Sequence, residues 1–182
     1  TPSTELLLLY SGHGSQVRDV NRDEQGGMDS VIVPSDFQTN GFILDDDLGT
    51  LVQQIKCKCL LLFDSCNSGT VCDLPFSYSY VRNRTFALKK NKFIKIANPN
   101  IYMMSGCRDN QFSEDAYTNG TFGGAFTNAF LKNFTTTKPM LTLYADICKS
   151  LPSSQQPVFS SSSLAIPQAN QPVFSLKKMV FR

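Results

Sequence analysis

Two apolar runs dominate the hydrophobic pattern, Leu6-Leu7-Leu8-Leu9-Tyr10 and Cys59-Leu60-Leu61-Leu62-Phe63. Each is short and continuous rather than alternating, so each reads as a strand buried on both faces. Between them Leu48, Leu51, Val52 and Ile55 recur on one helical face, with Asp47 placed to cap the helix start. Strand, helix, strand with apolar strands implies a parallel sheet with helical crossovers. Residues 14–41 are polar and Gly-rich, apart from one β-like patch, Val31-Ile32-Val33, stopped by Pro34. Residues 70–100 carry Pro, Asn, Tyr and Lys without clear periodicity and read as a connector. Ile101 to Met104 is a third short buried strand. Phe126, Phe130 and Phe134 mark a helix after Gly123-Gly124; Leu141, Tyr144, Ala145 and Cys148 mark another, with Pro139 near its first turn. Residues 150–163 are rich in Ser, Pro and Gln and read as irregular, and Val173 to Phe181 alternates enough to be a closing strand. Gln-Pro-Val-Phe-Ser occurs at 156–160 and again at 171–175, a local duplication rather than a repeat architecture.

Composition narrows the classes. A chain of 182 residues fits a single α/β domain. No apolar run approaches the roughly 20 residues that span a bilayer, and Leu6 to Leu9 lacks the length and basic flank of a signal peptide. The formal charge of +2 is diffuse. Lys89, Lys90, Lys92 and Lys95 form the dense basic patch, but no aromatic platform or reading motif accompanies them. Neither nucleic acid nor a membrane is therefore expected as a partner. The chain has 6 cysteines. Its length does not call for disulfide staples, and the Cys57/Cys59 spacing is wrong for a zinc knuckle. A reducing, cytoplasmic setting is expected.

The chemistry sits where the apolar runs stop. The first ends in Ser11-Gly12-His13-Gly14 and the second in Asp64-Ser65-Cys66-Asn67-Ser68-Gly69, and His13 is the chain's single histidine. Ligands of open parallel sheets bind beyond the carboxyl ends of the strands. An imidazole beside a thiol can take its proton and leave a potent thiolate nucleophile. His13 and Cys66 are thus the candidate base and nucleophile, and the N–H groups of Gly14 and Cys66 are candidate donors to a tetrahedral oxyanion. Asp64 lies two residues before Cys66 as Ser11 lies two before His13, so both would project beside the nucleophile. A partly buried carboxylate there would call for a cationic partner, such as a substrate Arg or Lys. The other reading is that Asp64 caps local backbone N–H groups.

Tyr-Ser-Gly-His-Gly-Ser at 10–15 and Asp-Ser-Cys-Asn-Ser-Gly-Thr at 64–70 closely resemble the metacaspases, cysteine peptidases of the caspase-like clan. The resemblance continues through Asp73-Leu74-Pro75, Ser105-Gly106-Cys107-Arg108-Asp109-Asn110-Gln111, Gly123-Gly124-Ala125-Phe126-Thr127 and Gln155-Gln156-Pro157. It implies a caspase–haemoglobinase fold, an α/β domain with a mostly parallel central sheet flanked by helices. It divides the chain into a large-subunit-like part (1–81), a connector (82–100) and a small-subunit-like part (101–182), a type I arrangement. It maps the base onto His13, the nucleophile onto Cys66, and the pocket for a basic residue onto Asp64 and Ser11. It implies calcium activation through Asp29, Asp45, Asp46 and Asp73; read without it, Asp45-Asp46-Asp47 is a helix-start charge cluster. It further implies a monomeric zymogen acting on protein or peptide substrates, with self-cleavage at Arg82, Arg84, Lys89, Lys90 or Lys92.

Two departures from the family pattern stand out. Asn67 occupies a position usually held by His. The family also places a strand–helix–strand unit before the His strand, and that unit is not in this sequence, so part of the sheet and pocket is expected to be absent or supplied separately. A calcium-dependent endopeptidase cleaving after Arg or Lys is the leading expectation. A catalytically weak or inactive caspase-like scaffold is the alternative; a legumain-like or gingipain-like enzyme fits the aspartates and the Ser-Gly-Cys segment less well.

Overall fold

A computed structural model describes residues 5–18, 27–66, 68–69, 71–91, 94–107, 115–118 and 121–166. The strands are β1 (Glu5–Ser11), β2 (His13–Arg18), β3 (Met28–Val33), β4 (Ile43–Leu44), β5 (Lys58–Asp64), β6 (Phe76–Arg82), β7 (Thr85–Lys90), β8 (Ile101–Ser105), β9 (Asp115–Thr118), β10 (Thr121–Gly124) and β11 (Val158–Ser161). The helices are α1 (Phe37–Asn40), α2 (Asp45–Gln54), α3 (Ala125–Asn133) and α4 (Met140–Ser150). A central sheet runs in the order β1-β5-β8-β11-β6-β7, with a separate three-stranded sheet β2-β3-β4 and a two-stranded ribbon of β9 and β10. In the central sheet β1, β5 and β8 are parallel, whereas β11 pairs antiparallel with both β8 and β6. None of the described helices is long and apolar enough to cross a membrane.

The alternation of side chains along β5 and β8 divides the core in two. Leu60, Leu62, Tyr102 and Met104 face one side, under Phe126 and Phe130 of α3 and Met140, Leu143 and Tyr144 of α4. Cys59, Leu61, Phe63, Ile101 and Met103 face the other, against Val52 of α2 and the loop residues Val71, Cys72 and Leu74. Helices on both faces are what a parallel sheet requires. The Tyr144 hydroxyl joins α4 to the sheet: it receives the N–H of Tyr80 at 3.1 Å and donates to the Pro157 carbonyl at 2.8 Å.

Several expectations need correction. β1 is not fully buried: it is an edge strand, and Leu6, Leu8 and Leu9 are 38%, 42% and 51% exposed because no further strand or helix among the described residues covers them. α2 starts at Asp45, three residues earlier than the Asp47 cap predicts, and Leu51 points to solvent. The polar stretch after His13 forms β2, paired antiparallel with β3. The aperiodic stretch 70–100 contains the β6–β7 hairpin, and the Ser-rich stretch contains β11, a central strand. The expected closing strand at 173–181 and the second Gln-Pro-Val-Phe-Ser copy lie outside the described residues.

The β6–β7 turn places Asn83 at φ 48° and Arg84 at φ 60°. Left-handed backbone suits Asn and Gly but costs an Arg on the order of 1 kcal/mol. Its ion pair with Asp146, at 3.7 Å and from a largely exposed guanidinium, returns little. Replacing Arg84 by Gly is therefore expected to raise stability by about 0.5–1 kcal/mol in chemical denaturation.

Candidate active site

The register of β1 on β5 decides where the reactive side chains go. Ser11 pairs with Asp64, the two strands end together, and the Gly12 N–H extends the ladder by donating to the Asp64 carbonyl at 3.2 Å. The chain then turns from β1 into β2. Tyr10 holds that turn from below, with its hydroxyl 2.9 Å from the carbonyl oxygen of His13 and 3.1 Å from that of Val33. Gly12 passes directly over the Tyr10 hydroxyl, where a Cβ would lie 2.8 Å from the oxygen. His13 opens β2 opposite Val33 and is exposed at the rim of the sheet.

Cys66 follows β5 and is half-buried. The Gly14 backbone packs against it so closely that a Cβ at Gly14 would collide with the Cys66 carbonyl oxygen and come within 3.3 Å of the Ser65 Cβ. The His13-Gly14 segment and the Cys66 loop are therefore in direct contact, and both candidate oxyanion donors, Gly14 and Cys66, belong to that contact. Three buried or partly buried thiols elsewhere are of a different kind. Burial pushes Cys59 and Cys148 up to about 12, and burial followed by the charges of Asp73, Cys59 and Asp45 pushes Cys72 well above the thiol range. Those three stay protonated at neutral pH and are poor nucleophiles.

Asp64 is 4% exposed and reaches under the start of α3. Its Oδ2 accepts the Thr127 N–H at 2.9 Å and the Thr127 hydroxyl at 2.6 Å. The residue at the N-cap position is Gly124, which has no side chain to cap with, and a Cβ there would collide with the Asp64 carboxylate. Asp64 thus serves as the cap that α3 lacks, placing a negative charge at the positive end of the helix. Ser11, its register partner, is exposed. Thr127 was visible in the sequence only as part of a motif; its role depends on a tertiary contact that spacing does not reveal.

The four acids expected to hold calcium lie in β3 (Asp29), at the start of α2 (Asp45 and Asp46) and in the loop after β5 (Asp73), and the charges of Asp45 and Asp73 both act on Cys72. Asp45 is 2% exposed and takes the Ser30 N–H on Oδ2 at 2.8 Å and the Asp46 N–H on Oδ1 at 3.1 Å, tying α2 to β3. Asp29 is buried in the neighbouring β3 position, and Asp73 sits in left-handed backbone at φ 44°. Among the described residues no three His, Cys, Asp or Glu side chains converge as a metal site.

Comparison with known proteins agrees with this architecture. The model of the caspase domain, peptidase family C14, matches residues 2–167. The chain belongs to the caspase-domain family. Within that family it is similar to metacaspase-1 of Saccharomyces cerevisiae, at 33% identity over 88% of this chain and 49% of that protein. It is also similar to metacaspase-1 of Kluyveromyces lactis, at 36% identity over 71% of this chain and 41% of that protein. This caspase domain therefore spans about half the length of the curated relatives it matches. The crystal structure of protein GSU0716 from Geobacter sulfurreducens shares the fold with a TM-score of 0.61 and 26% identity, covering 92% of this chain and 70% of that one.

The cap contact makes a specific demand. Replacing Thr127 by Val removes the hydroxyl donor to a buried carboxylate and is expected to destabilise the domain by about 1–2 kcal/mol in urea unfolding, the larger part of which Thr127→Ser restores.

Proposed function

We propose that this domain is the catalytic core of a cysteine endopeptidase that cleaves after Arg or Lys, with Cys66 as nucleophile and His13 as base. The observation that carries the reading is the direct contact of the Gly14 backbone with Cys66 at the matched ends of β1 and β5. In the first step His13 takes the thiol proton, and the sulfur forms a bond to the scissile carbonyl carbon as the carbonyl π electrons move to oxygen. The N–H groups of Gly14 and Cys66 donate to that oxygen. The C–N bond then breaks, the amine leaves with the proton from His13, and a thioester remains. Water, deprotonated by His13, attacks the thioester, and the thiol leaves with the proton. The buried negative charge of Asp64 supports selection of a basic side chain, held in one place by its contacts with Thr127.

Calcium activation is a separate proposal. It is supported by the resemblance and by the neighbouring buried carboxylates Asp29 and Asp45, but no step above runs through the ion. Self-cleavage is proposed in the β6–β7 segment, where Arg82, Arg84, Lys89 and Lys90 are exposed and Arg84 lies in the turn; Lys92 lies outside the described residues.

A fluorogenic Arg peptide, assayed with and without Ca2+, tests these points together. Turnover is expected to fall to background in Cys66→Ala. Replacing Asp64 by Asn is expected to lower kcat/KM for Arg and Lys peptides by about 100-fold, consistent with loss of a buried charge pair. Equal turnover by wild type and Cys66→Ala would remove Cys66 from the mechanism, and turnover indifferent to Ca2+ would remove the ion from the account.

A further inference from the structure

The peptide unit joining Ser65 to Cys66 is gripped by its carbonyl. The Ser68 hydroxyl donates to the Ser65 oxygen at 2.8 Å, and the Cys107 thiol donates to the same oxygen at 3.2 Å. Two donors match the two lone pairs of a carbonyl oxygen. Both are buried, Ser68 at 1% and Cys107 at 0% exposure. They approach from different parts of the chain, Ser68 from just beyond the nucleophile and Cys107 from the turn after β8. That turn is itself anchored. Gly106 donates its N–H to the Phe63 carbonyl at 2.7 Å, the Gln155 amide donates to the Gly106 carbonyl at 2.9 Å, and the Ser105 hydroxyl donates to the Cys107 carbonyl at 3.3 Å.

The consequence is directional. Among the described residues there are no cis peptide bonds, and in a trans peptide the N–H points opposite to the C=O. Drawing the Ser65 oxygen inward therefore turns the Cys66 N–H the other way, away from the protein interior. On its far side Cys66 is fixed too, because its own carbonyl lies against Gly14.

We infer that Cys107 and Ser68 are positioning residues of the oxyanion hole, acting through the Ser65 carbonyl to aim the Cys66 N–H. The inference rests on the proposed roles of Cys66 as nucleophile and oxyanion donor. Neither residue touches substrate. Losing one of the two donors frees the peptide plane to rock, while the anchors at Phe63 and Gln155 keep the turn in place. The cost falls on the step in which negative charge develops on oxygen, so it appears in kcat rather than in KM.

The test compares wild type with Cys107→Ala, Ser68→Ala and Cys107→Ser by three readouts, in the presence of Ca2+. The first is hydrolysis of the Arg peptide. The second is inhibition by a peptidyl arginine aldehyde, in which sulfur adds to the aldehyde carbon and the new oxygen sits in the hole. The third is alkylation of Cys66 by iodoacetamide, a displacement that needs no oxyanion donor. Each Ala variant is expected to lose about tenfold in kcat, less than the roughly 100-fold for deleting a donor outright. KM should stay within about twofold, aldehyde inhibition should weaken in parallel, and alkylation should keep its wild-type rate. Cys107→Ser keeps a donor of similar reach and is expected to recover most of the kcat. Unchanged kcat in both Ala variants, or alkylation slowed as much as turnover, would overturn the inference while leaving the peptidase reading intact. Wild type that neither turns over nor labels at Cys66 would overturn both.

Discussion

The ladder that joins β1 to β5, from Glu5 opposite Lys58 to Ser11 opposite Asp64, is the constraint on which the chemistry depends. Because the strands run parallel, both chains leave the sheet at the same edge, and the residues just beyond them are neighbours whatever their separation in sequence. A slip of one residue would exchange the faces of β1 and carry the His13 turn away from Cys66. Register is strongly specified on β5, whose alternate residues enter the two halves of the core. On β1 it is held more lightly: Leu7 packs into one half and Tyr10 into the other, while Leu6, Leu8 and Leu9 remain exposed. The Tyr10 hydroxyl, tied to the His13 and Val33 carbonyls, supplies part of what packing does not.

Around that edge the same polar groups that hold the structure are those assigned to the proposed chemistry. Asp64 closes the start of α3 and also stands beside Ser11, the place proposed for a basic substrate side chain. The Ser65 carbonyl is bound from the interior by Ser68 and Cys107, and the other end of that peptide unit is the N–H of Cys66, the proposed nucleophile. Such sharing couples stability to activity. On the proposed roles, a substitution at Thr127 or Cys107 touches no substrate, yet it loosens the carboxylate or peptide assigned to bind it. Small residues are part of the same economy of space, since neither Gly14 nor Gly124 could carry a side chain without displacing a functional group.

The fold was legible in the sequence wherever burial is continuous. β5 and β8 are unbroken apolar runs, and α3 and α4 show their buried faces at helical spacing, so both types of element could be placed. β11 was not, because Ser160 and Ser161 are polar yet fully interior, at 3% and 0% exposure. Composition marks such a segment as a loop, whereas the structure satisfies it by backbone pairing on both sides. In β6 the alternation of Phe76, Tyr78 and Tyr80 with serines is a strand signal, but the neighbouring basic and turn residues obscure it. Edge and centre cannot be told apart from an apolar run alone, which is why Leu6 to Leu9 looked like β5. The proposed site residues His13, Cys66, Ser11 and Asp64 could be picked out because they lie at or just beyond the ends of β1 and β5. The contacts of Thr127 and Cys107 were not legible, because they join residues 63 and 42 apart in sequence.

The central claim is that β1 and β5 deliver an imidazole to a thiol, and it can be tested without a substrate. The decisive quantity is the rate at which iodoacetamide alkylates Cys66 near neutral pH in wild type and in His13→Ala, with peptide mapping to assign the site. A sulfur that can pass its proton to a neighbouring ring spends more time as thiolate. The account predicts a rate about tenfold or more lower without His13, restored as pH rises and the thiol ionises unaided. Equal rates at neutral pH in the two proteins would contradict it.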